Sequence, residues 1–213
     1  MKLIGQYDSP FVRRVAIAMH IYGMPFEHVP WSVWGDADKL AKHNPLRRVP
    51  TLVLDDGVAL IESFAILETL DERIGPDRAL LPRSGLVRRE GLRISALATG
   101  LGDKAVSLFY EQALPDKKPS EVWMARCRSQ IGETLDALER ERGARSTPYF
   151  FGDALTHADI AVACVLRFVS ESSPGLFDAE RWPKLAAHAA SCEALEPFQA
   201  IQQPFVVTMA KKD

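Results

Sequence analysis

Over the first eighty residues the hydrophobic pattern changes period about every ten positions, and after that it becomes helical. Residues 2–7 are a short apolar run suited to a strand. Asp8-Ser9-Pro10 then predicts a helix start, with Ser9 as N-cap and Pro10 as the first helical residue, where a missing N–H costs nothing. Val15, Ile17, Ala18, Met19, Ile21 and Tyr22 carry that helix to Gly23, a left-handed stop ahead of Pro25. Residues 26–30 suit a second strand, and 36–43 a short polar helix closed by Asn44-Pro45. Thr51-Leu52-Val53-Leu54 and Val58-Ala59-Leu60-Ile61 flank Asp55-Asp56-Gly57, a strong hairpin signal. A third helix starts at Ser63, which adds a second N-cap hydroxyl. It carries Ile66, Leu67, Leu70 and Ile74 on one side, with Glu68, Asp71, Glu72 and Arg73 largely opposite, and ends at Gly75-Pro76. This order predicts a small α/β unit with a mixed sheet.

Residues 80–85 read as a Pro/Gly/Ser-bearing linker, after which strand signals almost vanish. Residues 87–113 and 120–142 have the periodicity of long helices, the second with Glu and Arg on its exposed positions. Leu155-Thr156-His157-Ala158-Asp159-Ile160 is the clearest helix start. Thr156 and Asp159 form a capping-box-like pair, and Leu155 can staple onto Ile160. The stretch 160–169 is apolar nearly all round and predicts a buried central helix. Trp182-Pro183 opens a last helix, 183–195. The expected fold is therefore α/β followed by all-α: one domain over 1–79, a linker at 80–85 and a helical domain over 86–213.

Composition narrows the function. The chain has 213 residues, 47% hydrophobic and 25% charged, with a net charge of -2, which excludes a disordered chain. It also argues against a nucleic-acid partner, because phosphate-backbone binding needs a cationic surface. The arginine pairs 13–14, 47–48 and 88–89 are too scattered to form a basic tract. No run reaches the roughly 18 apolar residues of a membrane span, and Met1-Lys2-Leu3-Ile4-Gly5 lacks signal-peptide features. Three widely spaced cysteines, 127, 164 and 192, fit free thiols in a reducing cytoplasm. The five histidines (20, 28, 43, 157, 188) read as surface or capping residues. No metal-ligand spacing, P-loop or dinucleotide fingerprint occurs.

The candidate chemistry lies in three short N-terminal stretches. Ser9-Pro10 places a hydroxyl at a helix N-terminus, where an anion is favoured. Val49-Pro50 directly precedes a strand, an awkward place for proline unless the strand begins there or the bond is cis. Glu62-Ser63 adds a carboxylate and a hydroxyl at another helix start. A single ligand touching all three needs an anionic or nucleophilic centre, an extended peptide-like part and an amino-acid head bearing both charges. Glutathione has that pattern.

The same residues carry a family resemblance. Tyr7-Asp8-Ser9-Pro10-Phe11-Val12-Arg13-Arg14-Val15 resembles the first-helix motif of serine-type bacterial glutathione transferases. Asn44-Pro45-Leu46-Arg47-Arg48-Val49-Pro50-Thr51-Leu52 is similar to their cis-proline loop, and Glu62-Ser63 to their γ-glutamyl site. Tyr149 to Ile160 resembles the folding motif of their helical domain. The resemblance implies a thioredoxin-like first domain, an all-helical second domain, a homodimer, and glutathione as co-substrate without a metal. It further implies that Ser9 bonds the glutathione sulfur and that Val49 pairs its backbone with the cysteinyl part beside cis-Pro50. Glu62 and Ser63 hold the γ-glutamyl ammonium and carboxylate, and Arg48 reaches the glycyl carboxylate. Asp103 matches an acidic position that in some relatives reaches glutathione across the dimer.

Tyr7 is the rival hydroxyl. Serine at position 9 disfavours the mixed-disulfide chemistry of cysteine-type relatives. The second-substrate pocket would be an apolar cleft between the domains, with Phe11, Phe109 and Tyr110 as candidate wall residues. The implied activity is conjugation of the glutathione thiolate to small hydrophobic electrophiles. A glutathione-dependent isomerase or dehalogenase and a non-catalytic interaction module are the alternatives. One departure stands out: where the family usually has Gly, this chain has Arg47, at a cost of about 1 kcal/mol if the position needs φ > 0.

Overall fold

The computed structural model describes residues 1–114 and 118–206. By contact the described residues divide into two units, Met1–Arg83 together with 195–206, and Ser84–Ala194.

The first unit is an α/β fold. Strands β1 (Lys2–Ile4), β2 (Glu27–Val29), β3 (Thr51–Val53) and β4 (Ala59–Ile61) form one mixed sheet in the order β2-β1-β3-β4. β1 and β2 are parallel, joined through helix α1 (Pro10–Tyr22), whereas β3 lies antiparallel to both β1 and β4. The hairpin turn falls on Asp55-Asp56-Gly57, with Gly57 at φ 89°. α1 has Ser9 as N-cap and Pro10 in its first turn, and it stops at Gly23, which sits in the left-handed region at φ 65°. α2 (Ala37–Ala41) and α3 (Ser63–Ile74) complete the predicted set. Leu3, Ile17, Leu52, Ile66 and Leu70, all fully buried, form the core between sheet and helices.

Two features of this unit depart from the sequence reading. Asp71, expected on the solvent side of α3, is buried, because Tyr22 donates its phenol hydrogen to it. The same phenol oxygen accepts the Leu80 N–H at 2.9 Å, and Arg78 donates to the Tyr22 carbonyl at 3.0 Å. Burial, first of all, pushes the Tyr22 phenol well above its ordinary range, so it stays a donor at any working pH. The second departure is at the other end of the chain. Residues 195–206, expected within the helical domain, belong by contact with the first unit. The reason is Arg13, buried on α1: its Nε donates to the Ile201 carbonyl at 2.8 Å and its Nη2 to the Phe198 carbonyl at 3.0 Å. A further short helix, α8 (Glu196–Ala200), which the periodicity did not reveal, lies in this stretch.

The second unit is helical: α4 (Leu86–Ala113), α5 (Glu121–Gly143), α6 (His157–Ser172) and α7 (Pro183–Glu193). α6 is buried nearly all round, as its pattern predicts. Its start is a capping box in which Asp159 Oδ2 accepts the Thr156 N–H at 2.8 Å and the Thr156 hydroxyl at 2.6 Å. Oδ1 accepts the Phe150 N–H at 2.9 Å, which ties the preceding loop to the same fully buried carboxylate. α7 begins at Trp182-Pro183, which offers no capping oxygen. The Glu139 carboxylate of α5 supplies it, accepting the Lys184 and Leu185 N–H groups at 2.9 Å each.

His157 and His188 are buried rather than on the surface. His188 packs edge-on against Phe150 and faces Asp159, and burial holds its imidazole below the usual range despite that carboxylate. The three cysteines are free and buried. Among the described residues no helix is long and apolar enough to cross a membrane.

Asp159→Ala removes three hydrogen bonds to a buried carboxylate and should cost about 3 kcal/mol or more. A loss under about 1 kcal/mol in urea unfolding would contradict the anchoring role assigned to this side chain.

Candidate functional site

The sheet register brings the three candidate stretches to one edge. Ile4 pairs with Thr51, and Thr51 with Ile61. The chain leaving β1 toward Ser9, the chain entering β3 through Val49-Pro50, and the chain leaving β4 into Glu62-Ser63 therefore share one end of the sheet. Gly5 makes the approach close. A Cβ at that position would meet Val12 Cγ2 at 2.5 Å and Val49 Cβ at 2.8 Å, and its φ of +132° is one that L side chains rarely adopt.

Ser9 is half-buried, and its oxygen accepts the Val12 N–H at 3.4 Å. With that N–H feeding the oxygen, the hydroxyl hydrogen can be donated to an anion at the positive end of α1. The ring of the rival Tyr7 lies flat against His28, with centroids 3.8 Å apart and planes 4° apart. His28 Nε2 bonds the Gly5 carbonyl at 2.8 Å, and burial raises the Tyr7 phenol above its ordinary value. Phe11, one residue past Pro10, is half-buried.

Val49-Pro50 is a cis peptide. The N–H and carbonyl of Val49 make no hydrogen bond among the described residues, so a peptide-like ligand could pair with them. The loop is built around Asn44. Its Oδ1 accepts the Leu46 N–H at 2.9 Å, and its Nδ2 donates to the Arg48 carbonyl at 2.9 Å and to Thr51 Oγ1 at 3.3 Å. An Asx turn ahead of proline is the local signal that points to it. Arg47 adopts φ 52°, so this position of the loop lies in the left-handed region. Its side chain reaches Asp38 at 3.2 Å, an exposed pair that contributes little.

Arg48 and Glu62 face one another, Nη1 to Oε1 at 3.6 Å, and both are more than half exposed. Glu62 holds φ 66° and ψ 123° as the N-cap of α3, without a side-chain cap bond. Strain of this kind in a non-glycine residue clusters at functional sites. Ser63 is the first helical residue rather than the cap, and it is buried. Its hydroxyl accepts from Arg14 Nη1 at 3.4 Å, and the Arg14 guanidinium lies 4.8 Å from the centre of the Phe64 ring. The sequence pattern shows Arg14 only as a break in an apolar helix and half of an arginine pair, with nothing to mark it as buried against α3.

In the helical unit, Phe109 and Tyr110 are half-buried neighbours on α4, with ring centres 5.7 Å apart. Asp103 lies exposed on the same helix. Among the described residues no group of three or more His, Cys, Asp or Glu side chains could hold a metal ion.

The family model for the glutathione S-transferase N-terminal domain matches residues 8–73, and that for the C-terminal domain matches residues 121–191. The uncharacterized GST-like protein YibF of Escherichia coli is 34% identical over 170 residues, 80% of this chain and 82% of that protein. Maleylacetoacetate isomerase of Pseudomonas aeruginosa is 30% identical over 217 residues, covering 91% of this chain and 95% of the isomerase. Among solved structures, a glutathione S-transferase from Methylobacterium radiotolerans in complex with glutathione sulfonate superposes with a TM-score of 0.91 at 32% identity. It covers 100% of this chain and 98% of that one.

Arg47→Gly should raise stability by about 0.5–1 kcal/mol by removing the left-handed penalty. Chemical denaturation measures it, and an unchanged or lower midpoint would show that the loop does not carry this strain.

Proposed function

Because the chain belongs to the glutathione S-transferase family, we propose that it binds glutathione at this sheet end and uses Ser9 to hold the sulfur as a thiolate for attack on a small hydrophobic electrophile. The observation that carries the reading is the convergence of a helix-cap hydroxyl, the unpaired main chain of Val49 and the Arg48–Glu62 pair on one edge. Val49 would pair with the cysteinyl backbone. Glu62 would take the γ-glutamyl ammonium, Ser63 the γ-glutamyl carboxylate, and Arg48 the glycyl carboxylate. The glutathione sulfonate bound by the Methylobacterium relative supports the same ligand here.

The energetics suffice. A thiol with a pKa near 8.5 is about 3% ionised at neutral pH, and lowering it by about two units requires about 2.7 kcal/mol. A hydrogen bond from Ser9 to a charged sulfur contributes about 1.5–3 kcal/mol, and the end of α1 about 0.3–1 kcal/mol more. The thiolate fraction then rises about 25-fold. Nucleophilicity falls with pKa, at a Brønsted coefficient of about 0.4–0.5, so ionisation alone accelerates the reaction only a few-fold. Holding the electrophile against the sulfur must supply the remainder. In the step itself the thiol proton leaves to solvent, the sulfur lone pair forms the bond to carbon, and the leaving group or displaced π pair carries the charge away.

A second reading has a specific observation behind it. A glutathione-dependent isomerase shares this half of the site and differs only in the fate of the adduct, and the Pseudomonas relative carries an isomerase name. Product analysis separates the two, since conjugation consumes glutathione and isomerisation returns it. A non-catalytic interaction module is disfavoured, because it has no use for a thiolate-stabilising hydroxyl.

Ser9→Ala should raise the pKa of the bound thiol by about one to two units. Turnover at neutral pH should then fall while glutathione affinity holds, and activity should recover as the pH rises through the new pKa. Turnover unchanged by the substitution would remove Ser9 from the chemistry. Failure of the wild-type protein to bind glutathione would end the proposal.

A further inference from the structure

The turn leading into Ser9 is held from outside its own neighbourhood. The Tyr7 N–H donates to Gln203 Oε1 at 3.2 Å, and the Val206 N–H donates to Asp8 Oδ2 at 3.3 Å. One turn further along, Arg13 grips the Phe198 and Ile201 carbonyls, with its guanidinium 5.5 Å from the centre of the Phe198 ring. Residues 198–206 therefore bond to the chain on both sides of Ser9, two residues before it in sequence and four after. The two attachments differ in character. Arg13 is buried, and its bonds to two carbonyls anchor the segment. Gln203 is half-buried and joins the segment to the Tyr7 peptide through one side-chain oxygen.

The direction of an N-cap hydroxyl follows from the backbone that delivers it. Ser9 has φ -70° and ψ 123°, and its own N–H bonds back to the Gln6 carbonyl at 3.2 Å, closing the turn from within. On its other side the Tyr7 ring is stacked on His28. The Tyr7 peptide is thus fixed by its ring on one side and by Gln203 on the other.

We propose that Gln203 is a positioning residue for Ser9: its amide oxygen holds the Tyr7 peptide and so sets the aim of the Ser9 hydroxyl at the bound sulfur. This rests on the reading of Ser9 as the hydrogen-bond donor to the thiolate. It assigns the segment after α8 a part in the glutathione site, although the segment enters that site only through its grip on the turn. Losing the bond leaves Ser9 present but less well aimed, so the thiolate is less favoured while the rest of the tripeptide keeps its contacts.

The test is a double-mutant cycle between Gln203→Ala and Ser9→Ala. It is read by the pKa of enzyme-bound glutathione, from the ultraviolet absorbance of the thiolate, and by the pH profile of kcat/KM. Gln203→Ala should raise the bound-thiol pKa by up to about one unit, the equivalent of one hydrogen bond, and lower kcat/KM at neutral pH by no more than a few-fold. Glutathione affinity and the thermal midpoint should barely move. Gln203→Met, which keeps the length and removes the accepting oxygen, should behave alike and covers the case in which the alanine variant folds poorly. In the Ser9→Ala background the Gln203 substitution should have no further effect on the pKa. An unchanged thiol pKa in Gln203→Met, or the same shift whether or not Ser9 is present, would overturn the proposal. If Ser9→Ala itself leaves the pKa unmoved, the reading of Ser9 has failed, a result distinct from either of these.

Discussion

The candidate site depends on one geometric constraint, the register of the antiparallel ladder that sets Ile4 beside Thr51 and Thr51 beside Ile61. Side chains alternate faces along a strand, so a slip of one residue would turn Leu3 and Leu52, both fully buried, out of the core. Burial therefore enforces the pairing, and the pairing delivers the ends of three connections to one edge. Gly5 then permits the last approach, since any larger residue would push Val49 away from the first turn of α1. A ligand-binding corner has been assembled from backbone geometry before any polar side chain is considered.

Four buried charged groups serve this protein as internal ties. Arg13, Arg14 and Asp71 are buried and join segments 49 or more residues apart, and buried Asp159 ties the start of α6 to the loop before it. Carbonyls, a hydroxyl and aromatic faces surround the two arginines, while a phenol and main-chain N–H groups meet the two aspartates. An uncompensated buried charge is expensive, so each tie is specific: the segment it holds cannot drift without exposing the cost. Glu139 acts similarly from a half-buried position, capping a helix whose own Trp-Pro start has no oxygen to offer.

The site itself carries strain. Arg47 and Glu62 are the two described non-glycine residues at positive φ, and both lie in connections that reach the functional edge. Asn44 holds the first of these connections with three side-chain bonds. The ladder and α3 fix the second from either side. Rigid surroundings let both residues persist in conformations that an unsupported chain would leave.

Much of this was legible in the chain alone, and for local reasons. Ser9-Pro10, Gly23, Asp55-Asp56-Gly57 and Thr156 with Asp159 mark boundaries because caps and turns are satisfied by side chains a few residues away. The resemblance marked position 47 as a departure, but only the structure showed that it takes the left-handed region. Which polar residues turn inward was not readable. Asp71 on α3, Arg14 on α1 and His188 on α7 look like surface groups until a partner from another element faces them. The same holds for Gln203, which meets Tyr7 across 196 residues of sequence. Periodicity reports only whether a position is apolar. The choice of partner for a polar one belongs to packing, so the elements and the candidate ligand groups were determined by sequence, whereas the buried ties that aim those groups were decided by tertiary structure.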